Sequence, residues 1–152
     1  MPNWCSNRVE IYIDDEETMK EFQEFIRSKD QPLSFNSIVP MPEELEGTQH
    51  PPKIRSQKEV DNWKPESEWD SRPITQEMSD KFKEEYGTDN WFDWCCNNWG
   101  TKWDAQRIDF EADGNYITMH FDTAWGPPEE IHDALNEKFG DKISISWFYD
   151  EP

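Results

Sequence analysis

The chain has 152 residues, about one domain's length, with 34 acids against 15 bases and a net charge of −19. Leu, Ile, Val and Phe make less than a fifth of it, a level at which a highly charged chain is suspected of disorder, but nine Trp, four Tyr and five Met restore bulky apolar surface, about 150–250 Å² per buried ring. A pI near 4.3 argues against direct nucleic-acid binding, which needs Lys and Arg on phosphates, and no apolar run approaches the ~20 residues that span a bilayer.

In chain order, the first segment, Met1-Pro2-Asn3-Trp4-Cys5-Ser6-Asn7, lacks the basic start and apolar stretch of a secretory signal. Val9-Glu10-Ile11-Tyr12-Ile13 alternates apolar and polar, the period of a half-buried strand. Asp14 or Asp15 then offers an N-cap, and Met19, Phe22, Phe25 and Ile26 recur at helical spacing to about Arg27. After Gln31-Pro32, Phe35 to Val39 reads as a short second strand closed by Pro40-Met41-Pro42.

Residues 43 to 75 change character. Pro51, Pro52, Pro65 and Pro73 deny ladder or helix bonding, and apolar residues are few, so an insertion with little regular structure is expected. Trp63 and Trp69 lie six apart in this charged setting; they either pin the loop to the domain or stand as anchors for a partner. Thr75 to Tyr86 returns to helical spacing through Met78, Phe82 and Tyr86, with Gly87 as its stop. Asn90 to Trp103 is the densest aromatic stretch.

The last third is the most regular. Ile108, Phe110 and Ala112 alternate with acids, Asp113-Gly114-Asn115 makes a hairpin turn, and Ile117, Met119 and Phe121 return. Pro127-Pro128-Glu129-Glu130 opens a helix with Ile131, Leu135 and Phe139 on its buried stripe. Ile143, Ile145 and Trp147 alternate on a closing strand. The expected architecture is α+β: a single ferredoxin-like domain over 1–152, with an antiparallel sheet, two helices on one face, and a long, partly helical insertion at about 47–103 between the second strand and the hairpin.

Four strings stand out together: Met1 to Asn7; Phe35-Asn36-Ser37-Ile38-Val39-Pro40-Met41-Pro42-Glu43-Glu44-Leu45; Asn98-Trp99-Gly100-Thr101-Lys102-Trp103-Asp104-Ala105; and Phe121-Asp122-Thr123-Ala124-Trp125-Gly126-Pro127-Pro128. The set resembles the Api92-like family, also called the YubB ferredoxin-like domain, of bacteriophages, plasmids and other mobile elements. The resemblance implies a ferredoxin-like fold and a phage or mobile-element origin; it implies no reaction. Read physically, Trp4, Trp99, Trp103, Asp104 and Trp125 suit a structural role, with indoles plugging the core edge and bonding carbonyls. The functional alternative is an aromatic cage around Lys102 or a ligand cation.

Catalytic signals are sparse. Cys5, Cys95 and Cys96 offer no zinc-type pair with His50, His120 or His132, so no metal and no cofactor is expected. Buried, reduced thiols in a bacterial cytoplasm fit Cys5 and Cys95 better. Asp104, Asp109 and Asp122 invite an alternative reading as a metal-dependent nuclease or hydrolase, though no basic groove accompanies them. Outward strand positions, namely Glu10, Tyr12, Asp109, Glu111, Thr118, His120, Asp122, Ser144, Ser146 and Phe148, make an acidic face with a few aromatics. That polarity is the reverse of an RNA-binding sheet and fits a protein partner with a basic surface. The expectation is a non-catalytic accessory protein that presents a nucleic-acid-mimicking surface, with Glu10, Tyr12, Asp109, Glu111, His120, Asp122, Trp63 and Trp69 as partner-binding candidates. The sequence leaves its oligomeric state open.

Overall fold

The computed structural model describes residues 3–67 and 70–150. Its elements are β1 (Trp4–Ile13), α1 (Glu16–Ile26), α2 (Phe35–Ile38), α3 (Gln57–Asp61), α4 (Gln76–Tyr86), α5 (Trp91–Trp99), β2 (Gln106–Asp113), β3 (Tyr116–Ala124), α6 (Glu129–Phe139) and β4 (Ile143–Asp150), with 3-10 turns at Glu43–Leu45 and Gly140–Lys142. The chain divides into two compact units, Met1–Pro40 with Asn98–Pro152, and Met41–Asn97.

The first unit holds the whole sheet. Its strands lie in the order β2-β3-β1-β4, every neighbouring pair antiparallel. With α1 and α6 as the two crossovers, this is the ferredoxin-like arrangement. Alternation decides which side is buried. Cys5, Asn7, Val9, Ile11 and Ile13 of β1 point inward beside Ile117, Met119, Phe121 and Thr123 of β3, all buried. Against them α1 brings Met19, Phe22 and Ile26, and α6 brings Ile131, Leu135 and Phe139. Phe139 closes the joint, with its ring 5.1 Å from that of Phe22 and 5.7 Å from that of Phe25. Helix α1 starts where Asp15 accepts the Thr18 amide at 3.0 Å and the Thr18 hydroxyl at 2.7 Å, bonds that hold its carboxyl below the usual range.

One expected element is different in kind. Phe35 to Val39 is no strand: Phe35–Ile38 forms one helical turn, α2, and the sheet has four strands without it. A segment of five residues, two of them polar, is too short for a period to separate the two states. The outcome is set from seventy residues away, because the Asp104 carboxylate accepts the Phe35 amide at 2.7 Å and the Ser34 hydroxyl at 2.8 Å. The excursion therefore leaves the first unit after α2 rather than after a second strand.

The second unit is helical, and the described residues of its 47–74 part carry more regular structure than the prolines indicate. Ile54 and Ile74 form a parallel bridge, α3 is capped by Ser56, and Thr48 accepts the Trp91 amide at 3.0 Å. Leu45, Ile74, Phe82, Trp94 and Cys95 are buried in it. Thr75 caps α4, Gly87 ends it in the left-handed region at φ 82°, and Asn90 caps α5 through the Asp93 amide at 2.9 Å. Asp89, buried between, accepts from the Ser79 hydroxyl at 2.5 Å and pairs with Lys83 at 3.6 Å. Desolvation would raise its carboxyl, but the Ser79 and Asn90 hydrogen bonds and the Lys83 charge outweigh it and hold the group below the ordinary value.

Candidate functional site: the open face of the sheet

Opposite the helices, the second face of the sheet stays uncovered by any element of the first unit, and strand register fixes what it displays. One row across the strands reads Glu111, Thr118, Glu10, Ser146; the next reads Asp109, His120, Arg8, Phe148; a third reads Gln106, Asp122, Ser6, Asp150. Tyr12 and Tyr116 pair at the hairpin end with ring centres 5.1 Å apart, and Asp113 stands opposite Tyr116. The Tyr12 hydroxyl donates to Asp14 at 3.2 Å; that bond and the carboxylate's charge raise the phenol above its ordinary value. All six sheet residues named from alternation as candidates (Glu10, Tyr12, Asp109, Glu111, His120 and Asp122) share this face.

The face gathers six carboxylates: Glu10, Asp109, Glu111, Asp113, Asp122 and Asp150. Two guanidiniums lie among them, and both are engaged. Arg8 sits 3.8 Å from Glu10 and 4.7 Å from the Phe148 ring centre. Arg107 donates to Asp122 at 2.7 Å and lies 4.4 Å from the centre of Trp4. Arg8, Arg107, Asp113, Tyr116 and Asp150 escaped the sequence reading. Period-2 counting from Val9 back to Trp4 reaches Arg8, but buried Asn7 interrupts the apolar pattern. Asn7 is satisfied by donating to Thr123 at 3.0 Å and Cys5 at 3.2 Å, while its oxygen accepts the Trp147 indole at 3.1 Å. Arg107 reaches Asp122 because β2 bulges between Gln106 and Asp109, with Arg107 itself at φ 50°.

Trp63 is half-buried just past α3 in the second unit; Trp69 lies outside the described residues.

The four sequence strings meet around Trp4, Trp99, Trp103 and Trp125. Trp99 is buried and donates its indole N–H to the Val39 carbonyl at 2.8 Å. Thr101 donates to the Ala124 carbonyl at 2.8 Å, the Trp125 amide to Asn3 at 2.8 Å, and Asp104 binds Ser34 and Phe35 as above. Asn7, Phe35, Trp99 to Asp104 and Phe121 to Trp125 thus form one hydrogen-bonded knot. A second layer is more exposed: Lys102 Nζ lies between the rings of Trp103, at 4.2 Å, and Trp125, at 4.0 Å, while Trp103 and Trp4 stand 5.9 Å apart. The cage is therefore filled by the chain's own Lys102.

Among the described residues, no three His, Cys, Asp or Glu side chains group as a metal site requires. Asp109 faces His120, Asp122 is held by Arg107, and Asp104 is spent on α2. Cys5 and Cys95 are buried and take part in no disulfide. No described helix is long and apolar enough to cross a membrane.

Comparison with known proteins agrees with this architecture. Residues 98–152, from the end of α5 through β4, match the family model described as the ferredoxin-like domain in Api92-like protein. A crystal structure of a protein api92 from Yersinia pseudotuberculosis superimposes with a TM-score of 0.53 at 14% identity, covering 100% of this chain and 91% of that one. At that identity the likeness is one of fold. No curated protein matches the sequence.

Proposed function

We propose that this protein is a non-catalytic binding module of phage or mobile-element origin, working in the bacterial cytoplasm. Its open sheet face receives the basic surface of a protein partner and occupies it in place of nucleic acid. The observation that carries this reading is the strand register, which gathers six carboxylates on one face and engages its two arginines within it. Carboxylates projecting from adjacent strands form a fixed anionic array, and its field speeds encounter with a cationic groove. An overall charge of −19 adds to the steering.

The test is capture from bacterial lysate on immobilised protein at about 0.05 and 0.5 M NaCl, where the screening length falls from about 14 to 4 Å. Capture of a nucleic-acid-binding protein should drop at least tenfold at the higher salt, should be displaced by added nucleic acid, and should be lost in Asp109→Lys/Glu111→Lys. Capture indifferent to salt would overturn the reading. So would Mn²⁺-dependent cleavage of nucleic acid that disappears in Asp109→Asn/Asp122→Asn.

A further inference from the structure

The sheet has two edges, and they are built differently. The β2 edge carries the usual guards against pairing: a bulge between Gln106 and Asp109, Arg107 at positive φ, and four charges in eight residues, Arg107, Asp109, Glu111 and Asp113. The β4 edge has none of them. Its register with β1 runs unbroken from Ile13↔Ile143 to Ser6↔Asp150. Its sequence, Ile-Ser-Ile-Ser-Trp-Phe-Tyr-Asp, has no Pro, no Gly, no Lys and a single charge at the very end. In a chain where 32% of residues are charged, seven consecutive neutral positions on an edge strand stand apart. Phe148 and Tyr149 are 49% and 51% exposed there. Among the described residues, no strand lies on β4's outer side.

We infer that the β4 edge is a self-association site, at which two copies of this chain pair β4 against β4, antiparallel, to make one continuous eight-stranded sheet. Charge and symmetry select this occupant. A basic segment would find seven neutral positions here, whereas the carboxylates that would attract it project from the open face and the β2 edge. A second copy brings the same neutral strand. In an antiparallel two-fold pair, facing residues must point to the same side of the sheet, so register about Trp147 sets Ser146 opposite Phe148, Ile145 opposite Tyr149 and Ser144 opposite Asp150. No acid meets an acid. Each exposed aromatic gains a cross-strand neighbour, and the unpaired backbone groups of both edges are satisfied.

The net charges of the two copies repel, which gives the pairing a salt dependence of its own: screening strengthens it. This is opposite in sign to capture of a basic partner, so the two proposals stand or fall separately.

The experiment is sedimentation equilibrium on the full chain from about 1 to 200 μM at about 0.05 and 0.5 M NaCl, with amide exchange at the two ends of that range. The expected result is a monomer–dimer equilibrium whose dissociation constant falls several-fold at the higher salt. Half the β4 amides, those pointing outward, should exchange at least tenfold more slowly in concentrated solution while β2 amides do not change. Ser146→Lys places a cation next to Glu10 within the monomer and a guard on the edge; it should keep the monomer's melting temperature and weaken dimerisation at least tenfold. Glu111→Lys, on the opposite edge, should not weaken it. A monomer throughout the range would overturn the inference, as would a dimer favoured by low salt, a dimer that Ser146→Lys leaves intact, or concentration-dependent protection on β2. Protection of β4 that appears only with a captured lysate protein would reassign the edge to a foreign strand.

Discussion

At the scale of single residues, the tryptophans of the Trp99-to-Asp104 string divide into two kinds. Trp99 is 5% exposed, stacks edge-on to Phe35 at 6.0 Å, and satisfies its indole on Val39. Trp99→Ala should cost about 3–5 kcal/mol by chemical denaturation, as deletion of a large buried ring does. Trp103 is half-buried and touches Lys102 and Trp4. Its truncation should cost only about 1–2 kcal/mol, the sum of one exposed cation–π and one ring–ring contact. Gly100 between them sits at φ 84°, where a Cβ would come 3.0 Å from the Glu129 amide nitrogen and 3.2 Å from the Pro127 carbonyl oxygen. Gly100→Ala meets both backbone strain and backbone atoms that cannot swing aside, and should lower stability by about 2 kcal/mol or more.

Elements obeyed their sequence signals where a period ran long enough. The β1 alternation and the α1 stripe carry several repeats and both formed, β1 starting at Trp4 rather than at Val9, and the Asp113-Gly114-Asn115 turn joins β2 to β3 as read. Phe35 to Val39 had five residues and no repeat, so its state fell to Asp104, which no local rule connects to it. Asp104→Ala should leave the first amide of α2 without its acceptor and cost about 1–3 kcal/mol. Amide exchange should show α2 opening first, while β1 and β3 keep their protection. Asp89, between α4 and α5, gives an acid-sensitive joint. Its folded carboxyl lies below the ordinary value near 3.9, so its contribution is present above the unfolded value and disappears as pH falls through the folded one. Asp89→Asn should destabilise the second unit at neutral pH, and thermal melts should show a shallower loss of stability on acidification below about pH 4 than the parent chain.

For the molecule as a whole, the two units make separate claims on the chain. The sheet, its helices and the knot of four strings lie in the first unit, apart from the Met41-to-Leu45 end of one string. Residues 48–73 supply the second unit with Thr48 and Ile54. Replacing 48–73 by a short Gly-Ser bridge should therefore leave β1 and β3 amides protected while α4 and α5 lose protection. If Trp63 anchors a partner, that deletion should also weaken capture from lysate; unchanged capture would remove this segment from the interface.

The ferredoxin-like architecture and the acidity of its open face are legible in the chain alone. Both follow from period-2 alternation, in which each residue's side is fixed by its neighbours alone. The sequence also marked the residues of the knot, because tryptophan, glycine and aspartate at fixed offsets are conspicuous. What those residues do emerges in three dimensions: Asp104 holds the first amide of α2, Lys102 fills its own cage, and Arg8 and Arg107 are engaged within the acidic face. The three-dimensional fold alone revealed that β2 is a guarded edge and β4 an open one. Those outcomes depend on which segments lie side by side, and strand order is set by the packing of helices across the whole sheet rather than by any local run of residues.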